Sequence, residues 1–464
     1  MKTSVLIAGA AVLAAAGLTA ATLARRGPAL AEASVLAPAG ASNPTAAADA
    51  RGNRFVAWVV TLGGANDVYL ARATGGTFAV PVRVNDVPGD AAPHEQAPAQ
   101  VAVGPEGTVY VVWQNNTEIP GRRFPASDLR LARSTDGGKT FEPAVTVNDD
   151  RGGAPSSHTF HNIVVAKDGT VYVSWLDSRV RDAERARRRP RSAADTHAPA
   201  DPHAVAAMPG VAEMHTPAGT RAAPGSAAKP AGDSVKMMHG HGGMAEDPTL
   251  PGSEVRVAKS TDGGKTFGPS VVVDGGVCPC CRTSLAAGAD GSVFVAWRKV
   301  YAGDVRDVVV ARLAPGAAAF DAPVRVHQDG WVFPGCPHAG PSLAVDGRGR
   351  LHVAWYTGRD GRQGLWHAVS ADGGRTFGAP AALLTGKWVP PSQAALAADG
   401  DRVWATWDDR RTADGPVTLA RIDGERVDVV AREPGGRSPA LASAGHGLLV
   451  AWHQGQMVKV SAVR

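Results

Sequence analysis

Three octets, Ser134-Thr135-Asp136-Gly137-Gly138-Lys139-Thr140-Phe141, Ser260-Thr261-Asp262-Gly263-Gly264-Lys265-Thr266-Phe267 and Ser370-Ala371-Asp372-Gly373-Gly374-Arg375-Thr376-Phe377, are near copies of one another in a chain of 464 residues. Each joins two runs of alternating apolar residues, such as LRLARS before the first and PAVTVND after it. An aspartate followed by two glycines is turn chemistry: the carboxylate accepts hydrogen bonds from nearby backbone N–H groups, and glycine tolerates positive φ. The octet therefore predicts a tight turn between strands, plugged by its phenylalanine. A shortened form, ATGGTF, runs from Ala73 to Phe78.

Outward from the octets a larger period emerges. A short apolar strand ends in tryptophan seven times, at Trp58, Trp113, Trp175, Trp297, Trp355, Trp407 and Trp452, in phrases such as FVAW, VYVVW, VFVAW and LHVAW. The spacing is 45 to 62 residues except between Trp175 and Trp297, where a long insertion intervenes. Every copy reads as strand, Gly/Asp turn, Trp strand, loop, third strand, turn and fourth strand. Four antiparallel strands per unit predict an all-β β-propeller of four-stranded blades, seven of them, with six as the alternative count. The last unit lacks a fourth strand. Residues 33–38 can supply it and so pair the two ends of the chain, removing an open sheet edge.

With S-x-D-x-G-x-T-F matched three times, the chain resembles the Asp-box, or BNR-repeat, proteins of the sialidase superfamily. The resemblance covers nearly the whole chain beyond the N-terminal segment, apart from the insertion. It implies a propeller, and it raises sialidase or other glycoside hydrolase activity on sialylated or related glycans as a reading. It does not carry catalytic residues across, because Asp boxes certify fold rather than function. A sialidase needs an arginine cluster for the substrate carboxylate and a tyrosine nucleophile. Arg179, Arg298 and Arg411 each follow a blade tryptophan and, with Tyr356, are the catalytic set this reading would use. The family's Arg-Ile-Pro signature is absent, its place taken by Ser42-Asn43-Pro44.

Residues 1–31 read as an export signal, with Lys2 before an apolar run from Val5 to Ala24 and a small-x-small site at Pro28 to Ala31. Cleavage is the expectation and an uncleaved membrane anchor the alternative. Residues 32–464 then form one exported propeller, periplasmic or secreted and expected to be monomeric. The formal charge of +5 does not point to nucleic acid, because seven arginines crowd between Arg179 and Arg191, in and beside a low-complexity insertion. That insertion, 181–252, interrupts the third blade and is expected to be loosely ordered. It holds five of the seven methionines and five of the fourteen histidines, including the run from Met237 to Met244. Methionine has no core to fill there, and thioether with imidazole selects soft or borderline ions, copper first.

Counting back from the blade tryptophans places chemistry on one face of the disc. Nineteen residues before the Trp stand His94, Cys278 and Cys336 in the second, fourth and fifth units, and seventeen before stand His158, Cys280 and His338 in the third, fourth and fifth. Cys281 and His161 lie beside them, so all four cysteines of the protein gather at one mouth. Structural disulfides, a soft-metal site and, through the C-x-x-C of Cys278 and Cys281, redox chemistry are the three readings of such a set. The neighbouring Met/His segment favours metal, with copper first and zinc as the alternative. The ligand set is then Cys278, Cys280, Cys281, Cys336 and His338, completed from His94, His158 or His161. The partner expected is a metal ion, or a glycan on the second reading, and the membrane only through an uncleaved N-terminus.

Overall fold

The structure is a computed structural model. It describes residues 30–37, 39–120, 122, 124–150, 152–188, 252–387, 389–390, 394–412, 414–443 and 447–463. Most of the expected export segment and the whole Met/His stretch of the insertion lie outside the described residues. Among the described residues the chain is all-β with one α-helix. No helix there is long and apolar enough to cross a membrane.

The chain opens with β1 (Ser34–Ala37) and then lays down antiparallel groups in order. The first holds β2 (Ala41–Ala48), β3 (Arg54–Leu62) and β4 (Ala65–Thr74), with β5 (Thr77–Phe78) and β6 (Val82–Arg83) pairing back onto β4. The second is β7 (Gln100–Val103), β8 (Val109–Gln114), β9 (Leu129–Ser134) and β10 (Val145–Thr146). The third has β11 (His158–Val165), β12 (Val171–Asp177), β13 (Ser253–Ser260) and β14 (Val271–Val277), with helix α1 (Arg179–Arg188) leaving β12. The fourth is β15 (Ser284–Ala287), β16 (Val293–Tyr301), β17 (Val305–Leu313) and β18 (Val324–Arg325), touching the third through one registered pair, Val277 with Lys299. The fifth is β19 (Ser342–Val345), β20 (Leu351–Thr357), β21 (Gly364–Ser370) and β22 (Ala381–Thr385). The sixth is β23 (Ala394–Asp399), β24 (Arg402–Asp408), β25 (Val417–Asp423) and β26 (Arg426–Glu433). The last joins β27 (Arg437–Ser443), β28 (Leu448–Gln454) and β29 (Met457–Ala462) to β1, which pairs antiparallel with β29 through Ser34–Val460, Val35–Lys459 and Ala37–Val458. The end-to-end pairing expected from the short last repeat is therefore present.

The first strand of every group lies against that of the next, and β27 lies against β2. Packing follows the same cycle. Trp113 packs with Phe55 and Val59 of the preceding group, Trp297 with Phe160 and Leu176, and Trp58 with Leu449 and Val458 of the last group. The repeat tryptophans are all 2% exposed or less. Burying one indole removes roughly 200 Å² of mostly apolar surface, on the order of 5 kcal/mol, which makes these side chains the chief cement between neighbouring sheets.

The octets are turns, as their chemistry requires. Asp136 Oδ1 accepts from the Ser134 hydroxyl (2.7 Å) and from the backbone N–H groups of Lys139 (2.9 Å) and Thr140 (3.0 Å). Its Oδ2 accepts from the Thr140 hydroxyl at 2.6 Å. Asp262 and Asp372 repeat the same four bonds. The threonine hydroxyls of Thr266 and Thr376 come first among the groups that hold these two carboxyls well below the usual range. Gly137 and Gly138 sit at φ 75° and 83°, where a side chain is strained.

The insertion differs from expectation at its start. Its first residues continue α1, anchored by buried Asp182, which accepts from the Ser178 hydroxyl (2.7 Å) and Arg122 (3.0 Å), and by a Glu184–Arg188 pair one turn apart at 2.7 Å. Good helix formers and a polar anchor outweigh the low complexity of that stretch.

Candidate functional site

Two loops build the site: residues 278–283, entering β15, and 330–341, entering β19. Their backbones meet so closely that a Cβ at Gly340 would lie 2.1 Å from the carbonyl oxygen of Arg282, so only glycine fits there. Arg298, one residue past its repeat tryptophan and 1% exposed, latches the loops. Its guanidinium donates to the carbonyls of Ala339 (3.0 and 3.2 Å), Arg306 (3.1 Å) and Tyr356 (2.7 Å), and stacks over Trp331 at 5.2 Å. Cys278 N–H donates to the Arg298 carbonyl at 2.9 Å, fixing the start of the cysteine turn.

This brings the four cysteines together. Cys278, Cys280 and Cys281 are buried with sulfurs all within 4.8 Å of one another. Cys278 Sγ is 3.6 Å from Cys280 Sγ and 2.9 Å from Cys281 Sγ. Cys336 is exposed and reaches Cys280 from the facing loop. All four thiols are free, so the disulfide reading is not what the structure contains. Burial would raise the Cys278 thiol's pKa, but hydrogen bonds from Cys280 and Cys281 and the charge of Arg306 carry it well below the ordinary value. Burial, and then the hydrogen bond to Cys278, push Cys280 and Cys281 up. One thiolate is thus favoured in the cluster, and its charge is answered by guanidiniums. Arg306, buried, feels all four sulfurs while its Nε donates to the Phe333 carbonyl at 2.6 Å. Arg282 is held by burial to a pKa of about 10. Among the described residues, no carboxylate lies within ion-pair distance of Arg282 or Arg298.

The histidines divide. His94 and His338 feel each other's charge, and burial first, then His338, lowers the pKa of His94. His94 stands edge-on to Phe160, with centroids 5.3 Å apart. His161 is fully buried, and burial pushes it down to about 3, with Arg282 and His94 nearby. His338 and Phe160 both adopt left-handed backbone, at φ 52° and 55°, a strain that bulky residues keep only where the surroundings impose it. The Phe160 carbonyl accepts from both the N–H and the hydroxyl of Thr283 at 3.1 Å.

His158 does not join the set. Its Nδ1 donates to the Ser127 carbonyl at 2.5 Å, and its Nε2 lies 3.1 Å from Asp150 and 3.5 Å from Asp177. Burial would lower its pKa, but the Asp150 hydrogen bond and the charge of Asp177 outweigh burial and raise it. An imidazole with both nitrogens so engaged has no lone pair for a metal.

The residues of the sialidase-type set each have internal partners. Arg179 pairs with Asp177 and Asp149 at 2.7 Å each, and Arg411 pairs with Asp409 at 2.5 Å. Arg298 spends its donors on carbonyls, and Tyr356 is buried against Trp331 with its pKa pushed up to about 12 by burial.

Sequence reasoning missed Arg282 and Arg306 beside the thiols, since Arg306 sits inside an ordinary third-strand phrase. It also missed a polar cleft of about 400 Å³ lined by Ser42, Asn43, Glu95, Arg410, Arg437 and His453. There Arg410 bridges Glu95 and buried Asp408, residues more than 300 positions apart in the case of Glu95.

No family model matches the chain, and no curated protein matches it. Among solved structures it is similar to one described as a new family of polysaccharide lyase, PL25 ulvan lyase, with a TM-score of 0.53 and 12% identity over 93% of this chain and 97% of that one. The same lyase bound to -[GlcA(1-4)Rha3S]- gives 0.51 at 12% identity, with the same coverage. A Hadza microbial sialidase, Hz136, gives 0.47 at 12% identity over 89% of this chain and 76% of that one. At 12% identity the likeness to the lyase is one of fold: this chain shares its overall all-β architecture.

Proposed function

We propose that the chain is an exported, seven-bladed propeller of the Asp-box type that binds a soft metal ion at one mouth of its axis, copper(I) first and zinc as the alternative. The observation that carries the metal reading is the group of three buried sulfurs within 4.8 Å of one another, with a fourth cysteine at their edge. Sulfurs about 2.3 Å from a trigonal ion stand about 4 Å apart, so the Cys278–Cys281 pair opens by roughly 1 Å on loading. Cys278, Cys280 and Cys281 are the core ligands, with Cys336 beside them and His338 and His94 as imidazole donors at the rim. A cuprous ion on three thiolates carries two net negative charges, and the guanidiniums of Arg282, Arg298 and Arg306 supply the counter-charge that burial demands.

The propeller reading is supported by the cyclic packing of first strands and by the pairing of β1 with β29. The Met/His stretch, outside the described residues, is assigned capture and delivery of the ion. Anaerobic thiol counting with copper(I) and zinc titration on the same full-length preparation tests the site. One tight equivalent lost on Cys278→Ser or Cys281→Ser is expected, and no tight equivalent in protein with four titratable thiols would overturn it. Deleting 189–251 should slow loading and leave the stoichiometry unchanged.

A glycan-directed reading is favoured by one observation, the polar cleft at Glu95, Arg410 and His453. Sialoside hydrolysis is not expected, because the candidate arginines are spent on internal partners.

A further inference from the structure

We propose that the four cysteines form a thiol relay, which carries disulfide exchange from the surface to a buried dithiol: Cys336 is the entry, Cys280 the carrier, and Cys278 with Cys281 the terminal pair. The relay needs no metal, and it stands or falls apart from the thiolate centre proposed above.

Access sets the direction. Cys336 is exposed, whereas Cys278, Cys280 and Cys281 are 1%, 6% and 0% exposed, so a dissolved disulfide meets only Cys336. Proximity sets the path. Cys336 reaches Cys280, Cys280 lies 3.6 Å from Cys278, and Cys278 lies 2.9 Å from Cys281. Spatial order therefore runs 336, 280, 278, 281, which is not chain order. The end point follows from covalent geometry. Cys278 and Cys281 flank a turn, whose ends stand within about 7 Å at Cα, inside the span a disulfide bridges. A bridge between Cys278 and Cys280, two residues apart, is strained and passes the exchange on. The Gly340–Arg282 contact and the Arg298 latch hold the entry loop against the cysteine turn while this occurs.

The chemistry balances with a low-molecular-weight disulfide, RSSR, as oxidant. The Cys336 sulfur attacks RSSR, its S–S bond breaks, one RS⁻ leaves, and a Cys336 mixed disulfide forms. Cys280 attacks the Cys336 sulfur and expels the second RS⁻. Cys278 then attacks Cys280 and releases Cys336, and Cys281 attacks Cys278 and releases Cys280. Two protein thiols are oxidised, RSSR is reduced to two RSH, and the two thiol protons pass to the departing thiolates.

Full-length protein, reduced and freed of metal by a chelator, is treated anaerobically with oxidised glutathione, quenched by alkylation and mapped by peptide mass. The expected product is a Cys278–Cys281 disulfide with Cys280 and Cys336 recovered as thiols. Cys336→Ser should slow its formation about tenfold or more, because the remaining sulfurs are shielded. Cys280→Ser should stop the reaction at a glutathione adduct on Cys336. A Cys336→Ser protein with wild-type near-UV circular dichroism that oxidises at the wild-type rate would overturn the relay. So would a Cys280→Ser protein that still closes Cys278–Cys281 at that rate, or a wild-type end product bridged between Cys280 and Cys336. Copper titration of the same preparations reports on the metal site alone.

Discussion

Replacing Arg298 by alanine separates a structural arginine from a substrate-binding one. The side chain is 1% exposed and donates to three backbone carbonyls on three segments, those of Ala339, Arg306 and Tyr356. A buried acceptor left without a donor loses about 1–3 kcal/mol, so three stranded carbonyls amount to about 3–9 kcal/mol. Water entering the vacated polar space recovers part of this and places the expected loss at about 3–5 kcal/mol, the range typical of a broken buried network. Lysine keeps the charge, but its ammonium cannot span acceptors that the planar fork reaches together, so Arg298→Lys should fall between. Urea unfolding followed by tryptophan fluorescence reads both variants, with Trp331 stacked on the guanidinium as the local reporter. An Arg298→Ala protein with the wild-type midpoint would refute the latch. If it were also stable but had lost a sialoside hydrolysis that the wild type possessed, the arginine would belong to a glycosidase site instead.

Three further outcomes follow from the geometry. Asp136→Ala should lower stability by on the order of 1 kcal/mol in urea unfolding, since water replaces most of its exposed donors, and should leave the thiol count unchanged. His158→Gln should be pH-dependent in its effect. The raised His158 pKa contributes stability that is fully present below the ordinary histidine value and is lost as pH rises through the folded one, so the gap between variant and wild type should shrink from pH 6 to pH 9. A gap that widens with pH would refute the Asp150 pairing. Deleting residues 30–37 should strip β29 of its partner and yield concentration-dependent association measurable by light scattering; a truncated protein that stays monodisperse would show that the seam is dispensable.

The repeat was legible because each tryptophan strand repeats one burial pattern, and because the octet encodes its own hydrogen bonds. The gathering of the cysteines was legible from two offsets: Cys278 and Cys336 stand nineteen residues before Trp297 and Trp355, and Cys280, beside Cys281, stands seventeen before Trp297. His158 shares that offset with Cys280 and His338 yet turns away, because an offset places a backbone and not a side chain. β11 shifts register between Thr159 and Asn162, and Phe160 takes a left-handed conformation there, so the histidine faces Asp150 and Asp177. Arg306 and Arg282 left no mark, since an arginine in a strand phrase reads as solvated until the opposing loop is placed. Helix α1 was hidden by the composition around it, although Ser178, Asp182 and the Glu184–Arg188 spacing spell its start and support.

The pairing of β1 with β29 also governs the order in which the molecule can form. Ser34 and Val460 stand near opposite ends of the described chain, and with the Leu30–Val463 bridge beside them their contact is among those of greatest sequence separation in the fold. Closing a loop of about 430 residues rather than about 30 adds about 2 kcal/mol of chain entropy, which favourable contacts offset only once the intervening sheets have stacked. High contact order of this kind slows folding, and the seam is the natural last step. Until it shuts, β29 is a bare edge and the face of the first sheet is wet, so the chain with this seam open is the species most exposed to proteases and to pairing with a second chain. A circular permutant whose new ends fall in the loop between β10 and β11 would exchange this covalent gap for a continuous hairpin. It would move the kinetic weak point of the fold to a different pair of sheets.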